Sequence, residues 1–158
     1  MIFVTVGTQV EPFKRLLKAV DEEIEKGTIK DTVIVQAGCT KYKSDNMIIH
    51  DYLPMEVFDE YMDQADLIIC HGGVGSILGG LNRKKKVIAA ARLKKYKEHV
   101  NDHQTQIIDN FIKQGYIIGI KDMSELGDAI KKSKTFKPKE YKSNRDNMIK
   151  LIEKLIDE

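Results

Sequence analysis

Asp66–Gly80 reads Asp-Leu-Ile-Ile-Cys-His-Gly-Gly-Val-Gly-Ser-Ile-Leu-Gly-Gly, a strand running into a helix through a glycine turn. Leu67–Cys70 is apolar without polar alternation, the pattern of a strand buried on both faces of a parallel sheet. The run stops at His71. Gly72, Gly73 and Gly75 then let the backbone turn tightly and approach a ligand closely. Ser76 either caps the following helix or turns its hydroxyl to the ligand. Strand, glycine loop and helix start together offer unpaired N–H groups and a positive helix end to an anion. A phosphate or diphosphate cradle is one reading, and an ordinary βα turn with glycines for tight packing is the other. Three glycines within Gly72–Gly75 favour the cradle.

Outward from this stretch, strand and helix patterns alternate. Ile2–Val6 predicts a first strand, with Gly7-Thr8-Gln9 as the turn after it. Pro12 stands at a helix start, and Phe13, Leu16, Leu17, Val20 and Ile24 recur at helical spacing up to Gly27. Thr32–Gln36 and Met47–His50 predict the next strands, separated by the polar loop Lys41–Asp45. Pro54 opens a helix with Val57, Phe58 and Met62 on its apolar side. Beyond the glycine loop come a helix over 75–82, a strand over Val87–Ala91 and a long basic loop, Arg92–His99. A helix over His103–Gln114, a strand over Tyr116–Ile120 and a helix capped by Ser124 follow. The expected fold is α/β: a doubly wound parallel sheet of about six strands. Residues 1–142 form the ligand-binding domain in this reading. Residues 143–158 carry a last amphipathic helix, with Met148, Leu151, Ile152 and Leu155 in its stripe, which docks on a partner or packs on its own domain.

Bulk properties narrow the function. A chain of 158 residues suits one domain with a full-sized core. A net charge of +2 is too small to argue for nucleic acid. Cys39 and Cys70 make no disulfide framework, Cys70 reads as a small core residue, and the chain fits a reducing, cytoplasmic setting. Met1–Val6 leads directly into a strand, so no signal peptide is expected, and no run approaches the ~20 apolar residues of a membrane span.

Several stock sites are excluded. The P-loop pattern is absent. The dinucleotide fingerprint fails because Leu78 stands where the last glycine belongs. His99 and His103 are four apart and would share a helix face, but zinc needs more ligands, and no metal or other cofactor is expected. In a doubly wound sheet the ligand lies beyond the carboxyl ends of the strands. The loops Gly7–Gln9, Gly38–Lys41, Tyr52–Leu53, His71–Ser76 and Arg92–Gln104 all fall there.

Val4–Gln9, Ala65–Ile77 and Asn101–Gln104, taken together, resemble the donor-binding half of glycosyltransferases of the family 28 type, with GT-B, Rossmann-like architecture. Within that family the resemblance is to the small soluble subunits of two-part UDP-GlcNAc transferases in dolichol-linked N-glycan assembly, and to their bacterial relatives in capsule and exopolysaccharide synthesis. It covers nearly the whole chain. It implies a hexosyltransferase, inverting and metal-independent, that moves a sugar from a UDP-sugar to a lipid-linked acceptor. By the same resemblance, Gly7, Thr8 and Gln9 with His71, Gly72, Gly73, Gly75 and Ser76 face the diphosphate. Tyr52 and Leu53 hold the base through backbone groups, and His103 and Gln104 meet the diphosphate and the sugar hydroxyls. No residue is assigned as the catalytic base.

Two departures follow. Relatives carry an acidic residue three positions after the motif serine, and here that position is Gly79. The chain also supplies only the donor domain, which implies a membrane-anchored partner carrying the acceptor side. The protein would then sit in the cytoplasm, peripheral at the membrane face through that partner. Gly79 favours an alternative, a non-catalytic subunit that assists a partner transferase. A nucleotide-sugar epimerase on a similar fold is a third reading, against which the missing second domain counts. Lys94, Lys95 and Lys97 would attract diphosphate or anionic lipid headgroups, the latter worth about 1 kcal/mol per Lys. Tyr96 either stacks on a sugar or base or is a plain loop aromatic. Arg83-Lys84-Lys85-Lys86 reads as a solvated turn on the far edge of the sheet.

Overall fold

A computed structural model describes residues 1–141. The last amphipathic helix expected from the sequence lies outside the described residues. Within them the chain alternates strand and helix: β1 (Ile2–Thr5), α1 (Lys14–Glu25), β2 (Val33–Gln36), β3 (Ile48–His50), α2 (Met55–Gln64), β4 (Leu67–His71), α3 (Val74–Asn82), β5 (Lys86–Ala90), α4 (His103–Lys113), β6 (Ile118–Ile120) and α5 (Leu126–Ser133). Short 3₁₀ turns at Lys94–Tyr96 and Met123–Glu125 join the later elements. All strand pairs are parallel, in the order β3-β2-β1-β4-β5-β6. This is the doubly wound sheet that the alternating pattern predicts. Its direction of winding reverses between β1 and β4, where an open sheet leaves a crevice at its carboxyl end.

The unbroken apolar runs have their reason in two cores. Leu67 and Ile69 of β4 pack on one face with Leu16, Leu17 and Val20 of α1 and Leu126 and Ile130 of α5. Ile68 and Cys70 pack on the other face with Met62 of α2, Ile77 and Leu81 of α3 and Phe111 of α4. A strand covered on both sides needs no polar alternation. Cys70 is fully buried, as a small core residue should be, and burial pushes its thiol up to about 12.

Several local details differ from the sequence reading. β4 runs one residue further than the apolar stretch, because His71 pairs with Ala90 of β5. Ser76 does not cap α3. Gly73 is the N-cap, and Ser76 sits inside the first turn. Asp122, not Ser124, caps the turn before α5: its carboxylate accepts from the Ser124 N–H at 2.9 Å, and Glu125 returns the bond to the Asp122 N–H at 3.0 Å. His99 lies in the loop before α4, so it and His103 do not share a helix face. Arg83 is not a plain solvated residue. It bridges Asp59 (2.8 Å) and Asp63 (2.9 Å) of α2 and donates to the Gly79 carbonyl (3.0 Å).

Candidate functional site

A cleft of about 470 Å³ opens at the carboxyl ends of β1, β2 and β4, over the β1/β4 crevice. Thr5, Gly7, Thr8 and Gln9 line it from β1, Gln36 from β2, and Tyr52, Leu53, Met55, Phe58 and Met62 from the approach to α2 and from α2 itself. His71, Gly73, Gly75, Ser76 and Gly79 close the side formed by β4 and α3. The structure thus gathers Gly7, Thr8, Gln9, Tyr52, Leu53, His71, Gly73, Gly75 and Ser76 around one space, although they come from three separate loops. Gly72, His103 and Gln104 do not line it.

His71 is the floor on which the two glycine turns rest. Gly7 adopts φ +83°, and a Cβ there would lie 2.7 Å from His71 Nε2. A Cβ on Gly73 would lie 2.4 Å from His71 Cε1. Any side chain at either place collides with the imidazole, so the two turns can flank this ring only as glycines. Gly73 also offers no side chain to cap α3. The first N–H groups of that helix therefore open toward the cleft with the positive end of the helix behind them. Ser76 Oγ stands 3.2 Å from His71 Nε2. Gln9 contributes a buried Oε1 that has no hydrogen-bond partner among the described residues.

Gln104 is buried and commits its amide inward. Its Oε1 accepts from the N–H groups of Gly72 (3.0 Å) and Arg92 (3.0 Å), and its Nε2 lies 3.1 Å from His71 Nδ1. Gly72 has the same orientation: its N–H is spent on Gln104, and a Cβ on it would lie 2.8 Å from Gln104 Cβ and 2.9 Å from Ile108 Cδ1. Leu53 donates its N–H to Gln36 Oε1 at 2.8 Å, so that group is occupied as well. The Tyr52 hydroxyl meets Cys39 Sγ at 3.0 Å, and the ring is half-exposed at the mouth.

The loop after β5 holds what sequence reasoning missed. Arg92, read as the start of a polar loop, is fully buried. Its Nη1 donates to the carbonyls of Glu11 (2.7 Å) and Glu98 (3.0 Å), and its Nη2 to the carbonyl of Val6. Glu98, also buried, takes Arg15 through both oxygens (3.0 and 3.1 Å) and the Leu93 N–H (3.0 Å). These bonds tie the loop to the β1 turn and to α1. The presence of one Glu among the lysines was the only hint in the sequence. Lys94, Lys95 and Lys97 do not line the cleft. Tyr96 packs under Arg15, whose guanidinium carbon is 4.5 Å from the ring centroid, and Lys95 lies 5.0 Å from the same ring.

Electrostatics follow from the burial. Desolvation, with the Arg92 charge as a second cause and His99 as a weaker one, pushes the His71 imidazole down to about 4. His71 is therefore neutral around pH 7. Burial also lowers Arg92 from its usual range, while Glu98 and Glu11 oppose that shift.

With this geometry in hand, comparison with known proteins is direct. Residues 1–158 match the model of the glycosyltransferase family 28 C-terminal domain. The chain is 27% identical over 121 residues to UDP-N-acetylglucosamine transferase subunit ALG13 of Debaryomyces hansenii, an alignment that covers 74% of this chain and 54% of that protein. It is 38% identical over 55 residues to the subunit of the same name from Saccharomyces cerevisiae, covering 35% and 25% of the two chains. The chain thus spans about half the length of the first of these relatives, and less of the second. Among solved structures, the NMR solution structure of ALG13 superposes with a TM-score of 0.63 at 22% identity, over 96% of this chain and 93% of that one. The glycotransferase of kitacinnamycin gives 0.63 at 17%, over 84% and 34%. MurG of Acinetobacter baumannii gives 0.53 at 16%, over 84% and 40%. These structures share the fold. Matched over its full length by that family model and folded as these relatives are, the chain belongs to the glycosyltransferase family 28 C-terminal domain family.

Proposed function

We propose that this chain is the donor-binding half of a two-part glycosyltransferase, which moves a hexose from a UDP-sugar to a lipid-linked acceptor held by a membrane-anchored partner. The observation that carries the proposal is the cleft over the β1/β4 crevice, where an uncapped helix start, the Ser76 hydroxyl and two glycine turns converge on a neutral His71. A nucleoside diphosphate suits such a space. Its base and ribose lie toward Tyr52 and Met55, and its phosphates toward Gly73–Ser76. Membership of the family and the similarity to a transferase subunit support the reading.

The chemistry follows from charge. As the bond from sugar to diphosphate breaks, negative charge grows on the leaving phosphate. N–H groups fixed at the start of α3 and the Ser76 hydroxyl meet that charge without reorganising. One preorganised donor of this kind is commonly worth ~2.7–4 kcal/mol in a transition state. The helix end adds up to ~2 kcal/mol in a partly buried setting. In this reading those donors offset the leaving charge without a metal. The acceptor hydroxyl attacks from the opposite face of the sugar, which inverts the anomeric centre, and the partner supplies the groups that hold the acceptor. The protein reaches the cytoplasmic membrane face through that partner, and the apolar residues Met148, Leu151, Ile152 and Leu155 of the sequence are its proposed contact.

One observation favours a second reading. Gly79 lines the cleft with no carboxylate to take ribose hydroxyls, which suits a subunit that assists a catalytic partner without turning over donor itself. Titration separates the two. UDP and UDP-sugars added to the purified chain should shift the amide resonances of Gly73–Ile77 at millimolar ligand or below. No shift at millimolar UDP removes the donor site. Binding without transfer, when the chain is co-expressed with its partner, selects the assisting role.

A further inference from the structure

We propose that Gln104 is a positioning residue: it fixes His71 as the Nε2–H tautomer, so that Ser76 turns its hydroxyl proton toward the anion in the cleft. The inference rests on the donor-site reading only for the identity of that anion. Gln104 Oε1 receives two backbone N–H groups, from Gly72 and Arg92, each at 3.0 Å. A rotated amide would set its NH₂ against both of them, so the orientation is determined. The Gln104 Nε2–H group then points at His71 Nδ1, 3.1 Å away, and that nitrogen must accept. A neutral imidazole carries one proton, which is left for Nε2. Nε2 lies 3.2 Å from Ser76 Oγ and donates to it. Ser76 makes no other hydrogen bond among the described residues and lines the cleft. Its own proton is therefore free for a phosphate oxygen.

The surroundings keep the ring in this form. Arg92, just beyond β5, faces His71 with a positive charge that opposes protonation of the ring. Glu98 of that loop is committed to Arg15 and to the Leu93 N–H. The Gln104 side chain thus reaches the ligand through His71 and Ser76 rather than by touching it. A single atom at position 104 decides the polarity of the chain of hydrogen bonds.

Gln104→Glu isolates that atom. The carboxylate still accepts from Gly72 and Arg92, but it offers His71 Nδ1 an acceptor in place of a donor. The ring must then carry its proton on Nδ1, Nε2 becomes an acceptor, and Ser76 spends its proton on Nε2. Ser76 would then face the anion with lone pairs instead of a donor. Histidine-selective ¹⁵N NMR of the ligand-free wild type at pH 7.5 should show Nε2 protonated and Nδ1 bare; an Nδ1–H ring overturns the proposal. In the variant the tautomer should switch, and UDP affinity at pH 8.5 should fall about tenfold, as for a lost hydrogen bond to a charged group. The loss should diminish at low pH, where the carboxylate promotes a doubly protonated His71 that donates to Ser76 again. Between pH 6 and 9 wild-type affinity should change only with the titration of UDP's own terminal phosphate, whose second pKa is about 6. Ser76→Ala, which keeps a helix-favouring residue, should show a similar loss without the pH dependence. A switched ring with unchanged UDP affinity overturns the Ser76 relay. Wild-type protein with the Nε2–H ring but no affinity for UDP or pyrophosphate overturns the donor-site reading and the anion half of the proposal, while Gln104's control of the ring stands on the NMR result.

Discussion

Replacing Arg92 with methionine removes three hydrogen bonds together with the guanidinium head, while an unbranched apolar stem remains. The guanidinium is fully buried and donates to the carbonyls of Val6, Glu11 and Glu98. Its central carbon also lies 5.1 Å from the Phe13 ring centroid. The Glu11 carbonyl is only partly buried, so water can replace its donor at little cost. Those of Val6 and Glu98 are bonded in the interior, and each costs ~1–3 kcal/mol when left unsatisfied. Glu98 also loses a nearby positive charge and keeps Arg15 alone. Against this stands relief from desolvating a guanidinium whose Nε has no partner among the described residues. The expected net loss is about 3 kcal/mol, near the lower end for breaking a buried ionic cluster. For a domain of this size that lowers Tm by roughly 6–12 °C. Urea denaturation followed by circular dichroism should show a lower midpoint at unchanged slope. UDP affinity should fall in parallel, because the Val6 and Glu11 carbonyls bracket the Gly7–Gln9 turn. A loss below about 1 kcal/mol would refute the reasoning, since desolvation of the guanidinium would then cancel all it holds together.

Three further outcomes are expected. His71 titrates near 6.5 when unfolded and at about 4 when folded, so the unfolded chain binds the extra proton between those values; its contribution is complete above pH 6.5 and lost as pH falls toward 4. That amounts to about 3 kcal/mol, and urea midpoints at pH 7 and pH 4.5 should differ more for the wild type than for His71→Asn; equal slopes would mean the ring is not held neutral. Gly73→Ala puts a methyl 2.4 Å from His71 Cε1 and should cost about 1–3 kcal/mol through overpacking while weakening UDP binding at least tenfold by calorimetry. Gly79→Glu meets only the flexible end of Met62, at 3.3 Å, and the Arg83 guanidinium, so it should raise stability by up to about 1 kcal/mol through helix propensity. It should also tighten UDP relative to pyrophosphate, which carries no ribose, about tenfold through hydrogen bonds to the ribose; an unchanged ratio would place the ribose elsewhere in the cleft.

The amino-acid sequence by itself determined the sheet, the order of its elements and the end at which a ligand can sit. Unbroken runs such as Leu67–Cys70 and Val87–Ala90 are strands buried on both faces, and the helical stripes between them force parallel crossovers. That information is local and periodic, so it survives without neighbours. The glycines of the β4–α3 turn were legible for the same reason, because their meaning lies in backbone geometry. Ser76 was legible as a residue of the cradle but not as a partner of His71, because the competing capping role has the same local signature. The burial of Arg92 and the inward turn of the Gln104 amide were not legible. A long polar side chain is ordinarily solvated, and the single Glu98 among the lysines is too slight a signal to announce burial. Their partners are distant in sequence: Val6 and Glu11 for Arg92, Gly72 and His71 for Gln104. Only when β1, β4 and β5 lie side by side do these atoms come within 3 Å or so of one another. At that point the cost of leaving them unpaired in the interior, rather than any preference of the residues themselves, decides which way each points.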